Sequence, residues 1–173
     1  MKALSILLLA ICFFACKSPH SQSLQNPDLH NRDTHDSHFY MKKFYSQVHL
    51  KQNDSAIITG KQIIKLKPKN ALITYEIGEL YEKTGDTVTS VEYYKHALVI
   101  LNAVLDTMNV KSVDYHFLRL NKAVVLILLG QQKAGDDILR DSYNNEVIYS
   151  NKQYDLSLLH MTRKELIYGK AAK

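Results

Sequence analysis

Three glutamates spaced three residues apart come closer to a catalytic arrangement than other side chains in this sequence. Glu76, Glu79 and Glu82 fall at positions i, i+3 and i+6, so a helix would bring them to one side, next to Lys83. Paired carboxyl groups can act as general acid and base. No residues are placed to act as nucleophile and base together, so we expect no catalytic residue and no enzymatic activity. We interpret the glutamates as a solvated stripe that faces a ligand.

Histidines near the amino terminus are the candidates for binding a metal ion. His30, His35 and His38 are interleaved with aspartates, and imidazole together with carboxylate can bind a divalent metal. The spacing matches no closed metal site, and ordering such a segment would cost conformational entropy. Both cysteines fall in the first sixteen residues, and the sequence has no glycine-rich phosphate loop. We therefore expect neither a metal nor any other cofactor.

The composition is that of a globular protein of modest charge. Hydrophobic residues make up 46% and charged residues 23% of the 173 residues. Six glycines and three prolines are few for a fold with many tight turns. The net charge of +5, from 22 Lys+Arg against 17 Asp+Glu, is scattered along the chain and too weak to indicate a nucleic-acid partner.

Residues 1–15 have the pattern of a secretory signal peptide. Lys2 supplies an early positive charge, an apolar run follows it, and the small residue Ala15 stands directly before Cys16. The apolar run is shorter than the roughly 20 residues that cross a bilayer. The ending Phe13-Phe14-Ala15-Cys16 resembles a bacterial lipobox, with phenylalanines where a leucine and a small residue are usual.

The lipobox resemblance implies a lipoprotein held at a membrane by acyl chains on Cys16. The alternative is a plain signal peptide cut after Ala15, which leaves Cys16 as a free thiol. Lys17 and Ser18 carry no acidic retention signal, which favours the outer membrane, with the protein facing the periplasm. Residues 16–36 lack apolar periodicity and predict a flexible tether between the anchor and a folded domain.

From residue 37 onward the spacing of apolar residues predicts helices and no strands. The most regular segment combines small residues, aromatic residues and a Gly-Asp turn at fixed offsets. These residues are Ile77, Gly78, Tyr81, Gly85, Asp86, Tyr94 and Ala97. The pattern resembles the tetratricopeptide repeat, a 34-residue helix-turn-helix unit. The resemblance implies an all-α fold in which about three such repeats, over residues 37–143, stack into a superhelix.

Two further copies of the repeat flank the regular one. One period earlier, Pro68 takes the place of the closing proline, but Phe44 and Gly60 stand where a small and an aromatic residue are usual. The first repeat is therefore interpreted as degenerate. A third copy aligns through Ala123, which follows Gly78 by 45 positions instead of 34. The 11 additional residues are expected to extend the second helix of the second repeat to about residue 106 and to add a loop after it.

Residues 144–173 match no repeat and are expected to cap the open end of the array. The stretch from Thr162 to Glu165 has the form of a capping box, which predicts that a short helix begins there. The first helix of the third repeat is apolar on every side from Val124 to Leu129 and must be buried. Either the C-terminal segment lies on this helix as structural packing, or an apolar groove accepts the helix of a partner.

In the tetratricopeptide family, partners bind a concave face that is lined by fixed positions of the first helices. Carried over by this resemblance, the partner-binding residues are Tyr45, His49, Tyr75, Glu79, Glu82 and Lys83. The resemblance thus implies a lipid-anchored scaffold of the bacterial envelope that binds another protein or peptide. The same features also fit an alternative function, an immunity-type or inhibitor lipoprotein that neutralises a toxin in the periplasm.

Overall fold

The chain folds into helices joined by short connections in a computed structural model, which describes residues 27–145 and 158–169. Side chains are described for residues 36–142 and 158–169. The helices are α1 (Pro27–His49), α2 (Asn53–Leu66), α3 (Ala71–Lys83), α4 (Thr87–Leu105), α5 (Val113–Leu128), α6 (Gln132–Asn145) and α7 (Arg163–Tyr168). The described residues contain no strand, so the predicted all-α class is confirmed. The predicted signal peptide and the anchor at Cys16 lie outside the described residues.

Consecutive helices pack against one another in chain order from α1 to α6. The connections between them span three to seven residues, which is short enough to place sequential helices side by side. The arrangement gives three successive helix pairs, α1/α2, α3/α4 and α5/α6. None of the described helices combines the length and the apolar character needed to cross a membrane.

Local side-chain chemistry fixes where these helices begin and end. Asn70, Asp86 and Ser112 precede α3, α4 and α5, and each side chain accepts a hydrogen bond from the backbone N–H three residues later, at 3.0–3.2 Å. Gly85 and Gly130 follow α3 and α5 with positive φ angles of 91° and 79°. Glycine takes this left-handed conformation without steric cost, so both helices stop there.

Each of the first two helix pairs packs closely by placing a glycine against an aromatic ring. The glycine is on the first helix in one pair and on the second helix in the other. In α3/α4, a Cβ atom on Gly78 would lie 2.6 Å from the ring of Tyr94. In α1/α2 the large residue is on the first helix, and a Cβ atom on Gly60 would lie 3.0 Å from the ring of Phe44. The two departures from the repeat pattern in the first pair therefore compensate for each other. The pair that the sequence indicated as degenerate thus keeps a small residue against an aromatic ring.

Two helix boundaries bear on the sequence-based predictions. Helix α4 ends at Leu105 and α5 begins at Val113, so the predicted extension and the loop that follows it are confirmed. Helix α1 begins at Pro27 and therefore includes the last ten residues of the segment for which the composition predicted a tether. Proline suits the first position of a helix, because its missing N–H has no intrahelical acceptor there.

The C-terminal segment lies on the apolar helix α5. Leu166 packs beside Ala123 and Ile127, and Ile167 is buried in the cluster that contains Tyr94 and Leu128. The predicted capping box at the start of α7 is confirmed, because the Thr162 N–H donates to the Glu165 carboxylate and the Glu165 N–H donates to the Thr162 hydroxyl. Of the two alternatives for the apolar third pair, the structure shows cover by the C-terminal segment.

Candidate functional site

A cleft between α1 and α3 gathers residues of mixed chemistry. Tyr45 and Val48 contribute from α1, while Glu76, Glu79, Leu80 and Lys83 contribute from α3, and together they line a cleft of about 100 Å³. The α3 residues share one side of their helix because they are spaced three and four residues apart. The aromatic and aliphatic side chains form apolar walls, and the carboxyl and ammonium groups supply polar contacts.

Hydrogen bonds and nearby charges offset only part of the cost of burying the two carboxyl groups of the cleft. The Tyr45 hydroxyl donates to Glu76 Oε1 at 3.4 Å, while Glu76 Oε2 is buried and receives no hydrogen bond from the described residues. Burial, together with the charge of Glu79, raises the pKa of Glu76 to about 7. Burial also raises the pKa of Glu79 to about 7, although Lys83 Nζ lies 4.0 Å from its carboxylate.

These properties correct the prediction of a solvated stripe. Glu76 and Glu79 are half-buried in the cleft, where Tyr45 and Val48 of α1 flank them. Burial and the Glu76 carboxylate also raise the pKa of Tyr45 to about 12, so its phenol stays protonated. The cleft can accept hydrogen bonds or a cation through its carboxylates, and it can take up or release a proton near pH 7.

Glu82, a predicted partner-binding residue, is bound within the chain. Arg163 of α7 donates from Nε and Nη2 to the two Glu82 oxygens at 2.8 and 2.7 Å. The Tyr94 hydroxyl donates to Glu82 Oε2 at 3.0 Å, and the Glu82 side chain is only 11% exposed. Glu82 is therefore an anchor for the C-terminal helix, and not an exposed charge on a binding surface.

The remaining predicted residues are divided between the cleft and other places. Tyr75 is half-buried and donates from its hydroxyl to Asn121 Oδ1 at 3.1 Å, so it joins α3 to α5. His49 is exposed at the end of α1 and does not line the cleft. Of the six predicted residues, the structure brings together Tyr45, Glu79 and Lys83.

Three cleft residues, Val48, Glu76 and Leu80, were not among the six residues predicted to bind a partner. The sequence did contain a signal for Glu76, because it precedes Glu79 by three residues and must share its helix face. For Leu80 the sequence offered no comparable signal, since a leucine at that spacing is ordinarily a core residue.

A larger apolar groove lies near the amino-terminal end of α3. It measures about 640 Å³, and its aliphatic walls come from Leu72, Leu101, Val104 and Leu118. Leu72 precedes Glu76 by four residues, so the groove and the cleft lie on the same side of α3. A segment that runs along α3 could contact both.

Metal ligands are not grouped in the part of the chain that the structure describes. No set of three or more histidine, cysteine, aspartate or glutamate side chains is close enough there to hold a metal ion. His38 is exposed on α1, whereas the side chains of His30 and His35 lie outside the described residues.

Comparisons with protein-family models, with curated proteins and with solved structures gave no match for this chain.

Proposed function

We propose that this chain is a protein-binding scaffold, whose cleft between α1 and α3 holds a segment of another protein or peptide. The observation that carries the proposal is the composition of the cleft, where Tyr45, two partly desolvated carboxyl groups and Lys83 converge between apolar walls. Aromatic residues beside directional polar groups are typical of the centres of protein interfaces.

The finer description of the fold is part of the same proposal: the three helix pairs form a superhelix like that of tetratricopeptide repeats. Its support is the pairwise contact of successive helices and the complementary sizes at Gly78/Tyr94 and Phe44/Gly60. Stacked helix pairs of this kind form a concave face. Tyr45, Glu79 and Lys83 occupy positions that the resemblance assigns to that face.

Photo-crosslinking in the host bacterium tests the binding site directly. A photoreactive amino acid is placed at Tyr45 or Lys83 of the full chain, and matched controls carry it at Val88 or Val99, which are 77% and 65% exposed on α4. We expect one discrete adduct from the two cleft positions and none from the controls. The same adduct from all four positions, or none from the cleft, would contradict the proposed site.

The proposal places this scaffold at the bacterial envelope, lipid-anchored through Cys16 and facing the periplasm from the outer membrane. Its support is the sequence pattern that ends in Ala15-Cys16, which lies outside the described residues. Metabolic labelling with a fatty-acid analogue should mark the wild-type protein and the matched control Cys12→Ala. The Cys16→Ala variant should carry no label and should leave the membrane fraction. An unlabelled wild-type protein would reject the anchor.

A further inference from the structure

Helix α7 is bound to the rest of the molecule in the way that a short peptide ligand would be. It has six residues, and isolated helices of that length are not stable in water. Its own capping box, Thr162 with Glu165, satisfies the first turn, and its contacts are mainly with α3 and α5. The helical conformation of this segment therefore depends on the surface beneath it.

Three side chains on one side of α7 make the specific contacts. Arg163 forms the bidentate pair with Glu82, and its guanidinium group lies 5.6 Å from the centre of the Tyr94 ring. Leu166 and Ile167 enter the apolar clusters of α5, where Ile167 is 5% exposed. The spacing i, i+3 and i+4 is the pattern with which helices bind grooves in other proteins. The surface beneath α7 therefore binds a basic residue and two aliphatic residues that follow it three and four positions later.

The position of α7 links it to the proposed binding face. Glu82 follows Glu79 by three residues and therefore shares its side of α3. The cleft extends along α3 to Lys83, the residue next to Glu82, and Glu82 holds Arg163 of α7. A partner segment that follows α3 from the cleft reaches the place where α7 lies.

We propose that the surface beneath α7 is a second docking site, which accepts a short helix of a partner protein in exchange for α7. The partner helix carries a basic residue for Glu82 and two aliphatic residues three and four positions later. Its binding competes with α7, which the covalent chain keeps at high effective concentration. This inference rests on the proposed function, because it takes α3 as part of the binding face. Its test, however, measures peptide binding only at the surface beneath α7.

The test uses a fluorescent peptide that copies residues 158–169 and the full chain in two forms. One form is the wild type, and the other carries Arg163→Ala and Ile167→Ala to weaken its own α7. Because the wild-type surface is occupied, we expect the peptide to bind the weakened chain at least about tenfold more tightly. A second peptide keeps Thr162, Arg163, Leu166 and Ile167 and replaces the other residues by alanine, lysine or glutamine. It should bind similarly if the pattern is what the surface recognises.

A charge exchange provides the matched control. The chain with Glu82→Arg should bind a peptide carrying Arg163→Glu, and it should lose the unaltered peptide. Equal peptide affinity for the wild-type and the weakened chain, with helical circular dichroism intact, would overturn the proposal. Loss of helical structure in the weakened chain would also overturn it, because α7 would then be a permanent part of the fold. Failure of the crosslinking experiment at the cleft would leave these peptide affinities unchanged, so the two proposals fail separately.

Discussion

Two glutamates of α3 differ in how far hydrogen bonds offset the burial of their carboxyl groups. At the carboxyl-terminal end, Glu82 is half-buried but receives two hydrogen bonds from Arg163 and one from Tyr94. Nearer the middle, Glu76 is also half-buried but has one long hydrogen bond from Tyr45 and a second oxygen without a donor among the described residues. Charge-assisted hydrogen bonds offset the cost of burying a carboxylate. Glu82 therefore contributes to folding, whereas the burial of Glu76 is only partly offset by hydrogen bonds.

Removing the guanidinium group should have the largest effect on stability. Arg163→Ala leaves Glu82 buried with Tyr94 as its remaining donor and releases the contact between α7 and α3. We expect the free energy of unfolding to fall by about 2 kcal/mol, between the values typical of buried and of exposed ion pairs. Urea denaturation followed by circular dichroism measures this change.

An exposed ion pair on α4 supplies the control for that variant. Lys95 lies 2.8 Å from Glu92, and both side chains are largely exposed. Lys95→Ala should lower the free energy of unfolding by less than about 0.5 kcal/mol. Equal losses from Arg163→Ala and Lys95→Ala would show that Glu82 is not a structural anchor, and the contrast between Glu82 and Glu76 would disappear.

Neutralising a carboxyl group of the cleft should raise the free energy of unfolding, whereas Arg163→Ala lowers it. The pKa of Glu79 is about 7 in the folded chain, above the ordinary value of 4.5, so the folded state holds this proton more tightly. The free energy of unfolding should therefore fall as the pH rises from about 4.5 to 7. Glu79→Gln removes this cost, and at pH 8 we expect a gain on the order of 1 kcal/mol over the wild type.

The pH dependence makes the Glu79 prediction specific. The gain from Glu79→Gln should shrink as the pH is lowered toward 4.5, because the carboxyl group of the folded wild type is then protonated and that of the unfolded chain is increasingly so. Thermal melts at pH 5 and pH 8 measure the difference. A variant that is less stable than the wild type at pH 8 would mean that the Glu79 carboxylate is compensated in the way that Glu82 is.

The smallest change removes one hydroxyl group from the cleft. Tyr45→Phe eliminates the 3.4 Å hydrogen bond to Glu76, a contact that lowers the pKa of that carboxyl group. The pKa of Glu76 should rise further above about 7, as carbon-detected NMR titration of the glutamate carboxyls would show. The free energy of unfolding should change by about 0.5 kcal/mol or less. A Glu76 pKa that did not move would mean that the hydroxyl does not interact with the carboxylate in solution.

The parts of the fold that depend on local sequence could be predicted. The capping box at Thr162 followed from residues a few positions apart, because helix caps are local interactions. The end of α4 followed from the 11 residues that separate the third repeat from its regular position. The pairing of Phe44 with Gly60 was also within reach, since the same 16-residue interval separates Gly78 from Tyr94. The interpretation of the first repeat as degenerate did not include this exchange of sizes between the two positions.

The candidate site was harder to predict, because its properties arise from contacts between distant residues. Arg163 lies 81 positions from Glu82, and Asn121 lies 46 positions from Tyr75. Nothing local to Glu82 distinguishes it from Glu79, so the sequence could not indicate which glutamate anchors α7 and which faces the cleft. The raised pKa values likewise depend on the burial of Glu76 and Glu79 in the cleft, which a repeat pattern does not specify.

The account depends most on the claim that a partner binds in the cleft between α1 and α3. The direct measurement is the affinity of the purified partner, identified from the Lys83 adduct, for three chains: the wild type, Tyr45→Ala and Phe39→Ala. Phe39 is the matched control, because it is an aromatic residue of the same helix that is 57% exposed and does not line the cleft. We predict that Tyr45→Ala weakens binding at least about tenfold and Phe39→Ala changes it less than about twofold, with helical circular dichroism unchanged. Equal effects of the two variants, or undiminished binding by Tyr45→Ala, would contradict the account.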